Sequence, residues 1–196
     1  MFVQPEDTPN PQSMKFLPGR DVLGAGELGL DFPNADAAAA SPLAEALFAI
    51  DVVDGVYLGA DFVTVTKKPD ANWADVKPAA LGVIADHLVA GLPVLRDGID
   101  ADGGADPATP LDDYEGEDRE VVEQIIELID TRVRPAVAAD GGDIVFKHYE
   151  PRTGVVFLSM RGACAGCPSS TMTLKAGIEN MLRHYVPEVA KVEAAA

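Results

Sequence analysis

One segment of this 196-residue chain cannot contribute to a packed core, and it divides the rest. Residues 97–118, DGIDADGGADPATPLDDYEGED, hold nine acidic residues, four glycines and two prolines, but no basic residue. Because like charges repel and glycine and proline disfavour regular structure, we predict an extended, flexible linker here. It separates an N-terminal domain, residues 1–96, from a C-terminal domain, residues 119–196, and we expect the two to move nearly independently.

The charge of the whole chain limits its partners. Asp and Glu number 32 against 15 Lys and Arg, for a net charge of −17. Such a surface repels phosphate backbones and anionic lipid, so we expect no nucleic-acid or membrane partner. No apolar run is long enough to span a bilayer. Residues 1–16 lack the features of a secretory signal or transit peptide, which predicts a bacterial-type cytoplasmic protein or else a mature chain that has already been trimmed.

Hydrophobic periodicity predicts the order helix, strand, strand, helix, strand in the C-terminal domain. The helices cover 120–134 and 169–186, and the strands cover 143–150, 154–162 and 189–194. We expect Glu117 or Asp118 to cap the first helix and Pro135 to kink or end it. This α-β-β-α-β order is typical of a small α+β or α/β sandwich with helices on one sheet face.

The N-terminal domain is predicted to be a second small sandwich. A strand is expected at 14–19, a helix at 41–50 capped by Ser41, a hairpin at 53–58 and 62–67, and a helix at 73–90 capped by Asn72. The domain contains no cysteine, and its one histidine is His87. No catalytic constellation or glycine-rich nucleotide motif is present.

Both cysteines of the chain lie in RGACAGCPSS, residues 161–170, as Cys164-x-x-Cys167. The pair is compatible with a redox dithiol, half of a zinc site, half of an iron–sulfur site, or two buried residues. Pro168 favours Cys167 as the N-cap of the following helix, where the helix dipole and Arg161 would favour thiolates. Gly162 and Gly166 are expected to leave the sulfurs uncovered.

A tetrahedral zinc or a cubane cluster needs four ligands, and this loop supplies two. His148 lies in a predicted strand and His184 near a helix end, so we expect both to be surface or packing residues. The missing ligands then come most simply from a second copy of the chain, across a two-fold interface.

The segments around the cysteines resemble a known family. RPAVAADGGDI at 134–144 and V-x-L-x-x-x-G-A-C-x-G-C-P-S-S-x-x-T-L-K-x-G-I-E at 156–179 resemble the C-terminal domain of NifU/Nfu iron–sulfur scaffold proteins, over roughly 119–193. Residues 8–19, 41–67 and 73–78 resemble the Nfu-type N-terminal domain.

The resemblance implies a non-enzymatic scaffold or carrier that holds a [4Fe–4S] cluster between two protomers, through Cys164 and Cys167 of each. It implies a homodimer when cluster-bound, and partners that are apo iron–sulfur clients and an upstream assembly scaffold, with client recognition by the N-terminal domain. Two alternatives stay open: a thiol–disulfide oxidoreductase using Cys164 and Cys167, and a zinc-bridged dimeric binding module.

Overall fold

The computed structural model describes residues 2–24, 29–97, 111–165 and 168–195, without the side chains of residues 168–170. The described chain forms two α+β domains, as predicted, and each has its own sheet. Each domain also has its own hydrophobic cluster, one built around Phe16 and Leu47 and the other around Ile125 and Leu158.

The N-terminal domain has a five-stranded antiparallel sheet in the order β1-β2-β5-β4-β3. Its strands are β1 (Gln4–Asp7), β2 (Ser13–Leu17), β3 (Leu30–Phe32), β4 (Val53–Leu58) and β5 (Val63–Lys67). Strands β2, β4 and β5 match the sequence predictions. The edge strands β1 and β3 were not predicted, because runs of four and three residues carry too little alternation to be detected.

Two helices pack on one face of this sheet and begin where the sequence predicts. They are α1 (Pro42–Phe48) and α2 (Trp73–Val89). The Ser41 hydroxyl accepts the Ala44 N–H at 3.1 Å, and the Asn72 side chain accepts the Ala74 N–H at 3.0 Å. Both caps therefore satisfy a main-chain donor that the helix itself cannot pair.

The C-terminal domain follows the predicted order around a three-stranded sheet, β6-β7-β8. Its elements are α3 (Gly116–Leu128), α4 (Arg134–Ala139), β6 (Gly142–Glu150), β7 (Val155–Gly162), α5 (Pro168–Tyr185) and β8 (Lys191–Ala194). Strands β6 and β7 are an antiparallel hairpin, and β8 runs parallel to β7 after the crossover through α5. The central strand β7 therefore ends directly before the cysteine loop.

The first helical segment of this domain differs from the prediction in two ways. Pro135 does not end the helix, because it occupies the first turn of α4, directly after a π-helical turn at Ile129–Val133. The helix also begins earlier than expected. Its N-cap is Glu115 rather than Glu117 or Asp118, and it has no side-chain capping bond.

The predicted linker is too long at its C-terminal end. Residues 98–110 lie outside the described residues, so a linker there stays a prediction. Leu111–Asp113 form a 3₁₀ turn, and Tyr114 is buried in the C-terminal hydrophobic cluster. The Tyr114 hydroxyl accepts the Tyr149 N–H at 2.8 Å, which ties residues 111–118 to strand β6.

The two domains contact each other, contrary to the expectation of independent movement. The second faces of β4 and β5, opposite α1 and α2, lie against the start of β6 and the end of β7. Within the part of the chain described here, no helix has both the length and the apolar character needed to cross a membrane.

Candidate metal centre

Cys164 lies in a tight turn directly after β7. The Cys164 N–H donates to the Arg161 carbonyl at 3.3 Å, and the Ala163 N–H donates to the Gly141 carbonyl at 3.1 Å. These bonds fold the start of the loop back onto the start of β6. Cys164 is only 7% exposed and belongs to the C-terminal hydrophobic cluster. Cys167, the second predicted ligand, lies outside the described residues together with Gly166.

Two glycines permit this close packing. A Cβ on Gly142 would lie 2.5 Å from the Cys164 Sγ, too close for any non-bonded contact. Gly162 has φ +60, and a Cβ there would lie 2.8 Å from the Gly141 carbonyl oxygen. Glycine is the residue that combines the left-handed conformation with this approach of two backbones. The glycines of the DGGD and RGAC segments therefore seat the cysteine loop on β6.

The thiol of Cys164 is not the exposed thiolate that the sequence suggested, and that expectation is wrong. Burial, with further contributions from the nearby Asp140 and Asp143 carboxylates, raises the pKa of the Cys164 thiol to about 12. Arg161 does not offset this effect, because its guanidinium donates to the Gly29 carbonyl at 3.4 Å instead. In this conformation the sulfur is a protonated, poorly reactive thiol.

A row of polar residues on the N-terminal sheet covers this region. Lys15, Thr64, Tyr57 and Asp31 face one another across β2, β5, β4 and β3, since Lys15 pairs with Thr64, Thr64 with Tyr57, and Tyr57 with Asp31. We call these four residues the polar row. Their neighbours along each strand, such as Phe16, Val63 and Leu58, point into the N-terminal core.

The first half of the polar row binds the turn that leads from α4 into β6. The Lys15 ammonium donates to the carbonyls of Ala138 and Ala139 at 3.0 and 3.2 Å, at the C-terminal end of α4 where unpaired carbonyls favour a cation. The Thr64 hydroxyl donates to the Gly141 carbonyl at 2.6 Å. Both residues are buried.

The second half binds the end of β7. The Gly162 N–H donates to the Asp31 carboxylate at 3.2 Å, and the Tyr57 ring packs directly against Gly162. Beyond the row, the Asn10 amide donates to the Ala165 carbonyl at 3.2 Å. The N-terminal domain therefore binds the main chain on both sides of Cys164. The alternation of Lys15, Thr64, Tyr57 and Asp31 with apolar residues was the available sequence signal for this face.

An ion pair braces the segment beneath the loop. The Arg134 guanidinium contacts both carboxylate oxygens of Asp143, at 2.8 Å through Nε and 3.0 Å through Nη2. Asp143 also accepts the Ile144 N–H at 2.8 Å. Such a two-bond pair fixes both partners in orientation. It joins α4 to the start of β6, beside the glycine on which Cys164 packs.

The histidines lie in packing roles. His148 Nδ1 is 2.9 Å from the Tyr114 hydroxyl, His184 packs edge-on against Tyr185, and His87 Nε2 is 3.0 Å from the Pro93 carbonyl oxygen. Among the described residues, no group of three or more His, Cys, Asp or Glu side chains is arranged to hold a metal ion. The described part of the loop thus offers one soft sulfur ligand.

The buried, protonated Cys164 also counts against disulfide exchange in this conformation, because the attacking species in that reaction is the thiolate. The same donor suits a soft metal or an iron–sulfur cluster once it is exposed and deprotonated. In the described structure the sulfur of this donor faces inward.

Comparison with known proteins assigns both domains. The family described as scaffold protein Nfu/NifU N terminal matches residues 3–91, and the family described as NifU-like domain matches residues 125–193. Two similar relatives are the proteins named "NFU1 iron-sulfur cluster scaffold homolog, mitochondrial" of Drosophila sechellia and Drosophila erecta. Each is 52% identical over 193 residues, covering 98% of this chain and 64% of the relative.

The chain thus spans about 64% of the length of these curated relatives. A solved NifU-like protein from Saccharomyces cerevisiae is also similar, with 24% identity, a TM-score of 0.43, and coverage of 50% of this chain and 86% of that one. The family assignment depends on the sequence matches and not on this weak structural likeness.

The names of the relatives contradict the expectation of a bacterial-type cytoplasmic protein, because those relatives are mitochondrial. The expectation came from the missing leader features in residues 1–16. Targeting segments are recognised and removed separately from the folded domains, so neither the domains nor their charge carries the compartment signal.

Proposed function

The chain belongs to the Nfu family of iron–sulfur cluster scaffold proteins, and we propose that it carries a [4Fe–4S] cluster as cargo between two protomers. Cys164 and Cys167 of each protomer supply the four thiolates. The chain then delivers the cluster to apo iron–sulfur proteins after receiving or assembling it with an upstream scaffold. The role is that of a carrier rather than an enzyme.

One observation carries the proposal. Cys164 follows the central strand of the NifU-like domain, and in the described part of that domain no three His, Cys, Asp or Glu side chains are grouped so as to hold a metal ion. With Cys167 three residues away, one chain offers two of the four thiolates that a cubane cluster requires. A second copy related by a two-fold axis supplies the other two.

A centre shared between two chains suits transfer. Each protomer holds the cluster through only two bonds, so an acceptor with three or four cysteines can displace the protomers one at a time. The N-terminal domain is free of cysteine, and we assign it to client recognition. The net charge of −17 favours clients with basic patches around the receiving site.

Anaerobic reconstitution with iron and sulfide tests the proposal. The expected product is a brown dimer with about four irons per two chains, measured by Mössbauer spectroscopy and native mass spectrometry. The Cys164→Ala and Cys167→Ala variants should each bind no cluster. Because Cys164 packs in the C-terminal cluster, its replacement should also cost about 1 kcal/mol of stability while leaving the domain folded.

Two outcomes would contradict the proposed role as a cluster carrier. A colourless monomer that cycles a Cys164–Cys167 disulfide would support an oxidoreductase. A dimer that takes up one zinc ion and excludes iron would support a binding module. Replacement of the half-buried Thr66 on β5 by Val, which leaves both cysteines in place, is the control for loss of cluster through general destabilisation.

A further inference from the structure

Lys15, Thr64 and Tyr57 of the polar row are buried, and Asp31 is half-buried, although all four side chains would be well solvated on an exposed face. Lys15 and Thr64 direct three hydrogen bonds at main-chain carbonyls of the C-terminal domain. Buried polar groups of this kind are satisfied by specific partners, and these partners are all at the base of the cysteine loop. The sheet face is therefore built to fit that loop.

The contacts fix the loop on both sides of the thiol. The Gly162 N–H is held by Asp31, and the Ala165 carbonyl is held by Asn10. Between these two anchors the Cys164 sulfur lies against Gly142, inside the C-terminal cluster. A thiol that is to bind a centre shared with a second chain must instead lie at the surface.

The space next to the loop is also occupied. Tyr57 packs on Gly162, and Asp31 and Asn10 approach the loop from the N-terminal domain. A second protomer that approached Cys164 from this side would need the same space.

We propose that the N-terminal domain is a lid on the cysteine loop. Docked through the polar row, it holds Cys164 inward and keeps a second protomer away. Its release frees the loop to turn the thiol outward. The identity of the cargo rests on the function proposed above, whereas the lid is a property of the apo chain alone.

The test measures thiol exposure in the full apo chain. Cys167→Ser leaves Cys164 as the single thiol, since the chain has two cysteines. We call the Cys167→Ser chain the parent. The rate at which its thiol reacts with excess Ellman's reagent is compared with the rates of three variants built on it, two that should open the interface and one control. Lys15→Met with Thr64→Val removes three bonds to the C-terminal domain, and Asp31→Lys places a cation near Arg161.

Both opening variants should react roughly tenfold faster than the parent, because exposure follows the fraction of undocked chain. Thr66→Val is the matched control on the same strand, since its hydroxyl bonds Ser13 at 2.8 Å within the N-terminal domain. It should react at the parent rate. Equal rates in all four proteins would overturn the lid, and so would equal acceleration by Thr66→Val.

Hydrogen exchange at the Gly162 amide provides a second readout that needs no cysteine chemistry. This N–H bonds Asp31 only when the domains are docked, so its protection should fall in Lys15→Met with Thr64→Val, which keeps the Asp31 acceptor, and persist in the Thr66→Val control. Unchanged protection would contradict the proposal. If the opening variants react faster but the chain with both cysteines takes up no iron on reconstitution, the lid stands and the proposed cargo is wrong.

Discussion

At the scale of single residues, the geometry of the cysteine loop depends on the absence of side-chain atoms beside it. Gly142 illustrates this, since a methyl group there would meet both the Cys164 Sγ and the Arg161 carbonyl oxygen, at 2.5 and 2.9 Å. The Arg161 carbonyl oxygen is a main-chain atom, which cannot move away without a large energetic cost. The position is thus restricted by packing, independently of any cluster chemistry.

Gly142→Ala should therefore destabilise the C-terminal domain by about 2 kcal/mol, the usual cost of overpacking a tight site. Gly177→Ala is the control, because a Cβ there meets nothing within 4 Å and the residue lies inside α5. It should be neutral or stabilise by up to about 1 kcal/mol, as alanine favours helix. Urea unfolding of apo protein measures both. Equal effects would show that the Gly142 contacts relax freely.

Tyr114 is a second case in which one group decides local structure. Its hydroxyl accepts the Tyr149 N–H and also lies 2.9 Å from His148 Nδ1, next to an irregularity in the β6–β7 ladder between Phe146 and His148. The hydroxyl thus supplies a partner for a buried main-chain donor at the place where the ladder is interrupted.

Tyr114→Phe should cost about 1 to 3 kcal/mol in thermal or chemical unfolding, because the Tyr149 N–H loses a partner while it stays buried. The matched change is Tyr185→Phe. The Tyr185 hydroxyl accepts from Arg132 at 3.0 Å on an exposed surface, where water can replace it, so we expect less than about 0.5 kcal/mol. A small effect of Tyr114→Phe would mean that residues 111–118 contribute little to the domain.

At the scale of elements, the ion pair between α4 and β6 positions the turn beneath the cysteine loop. Arg134 pairs with two aspartates of different exposure: the Asp143 side chain is 5% exposed, and the Asp130 side chain, at 3.4 Å, is 50% exposed. Only the first pair bridges two elements. The second is an i,i+4 pair within the helical segment, of the kind that contributes little.

Asp143→Asn should accordingly destabilise the C-terminal domain by about 1 to 3 kcal/mol, since it leaves the Arg134 charge without its buried partner. Asp130→Asn should change the free energy of unfolding by less than about 0.5 kcal/mol. Denaturant titration of the two variants side by side distinguishes them. Similar losses would mean that the two carboxylates share the guanidinium equally.

At the scale of the whole molecule, the interface between the domains contains a carboxyl group that senses docking. Burial is the largest influence on Asp31, and it raises the pKa of the carboxyl above the ordinary value of 3.8 despite the Gly162 N–H and the Arg161 charge. In the undocked chain the carboxyl regains water and its ordinary pKa. The docked state therefore holds the Asp31 proton more tightly.

The sign of the pH effect follows by linkage. Protonation of Asp31 stabilises the docked state. This stabilisation is complete below the ordinary carboxyl pKa and is lost as the pH rises through the raised pKa. Docking should therefore be strongest in mild acid. Asp31→Asn should dock more tightly than the parent at neutral pH and lose this pH dependence, because the amide oxygen still accepts the Gly162 N–H without carrying a charge.

Small-angle scattering of apo protein across this pH range provides the measurement. The parent should become more compact as the pH falls towards the ordinary carboxyl range, and Asp31→Asn should be compact throughout. A parent that expands on acidification, or an Asn variant that is less compact at neutral pH, would contradict the sign.

Local sequence patterns were enough to predict most of the elements and the position of the C-x-x-C loop after β7. The strands β2 and β4 to β8, the two N-terminal caps at Ser41 and Asn72, and the C-x-x-C loop after β7 were all predictable. Each depends on neighbours within a few residues, through periodicity, capping or thiol spacing. The edge strands β1 and β3 were too short for such a pattern.

The surroundings of the thiol could not be predicted from local patterns, because they depend on contacts between segments that are distant in sequence. The inward turn of Cys164, its raised thiol pKa, the joining of Tyr114 to β6 and the docking of the polar row all depend on distant contacts, such as Thr64 on Gly141 and Asp31 on Gly162. Alternation shows that a strand has two faces, but it does not show what packs against the second one. The burial of Cys164 and the pKa of its thiol depend on that packing, which is set by contacts within and between the domains.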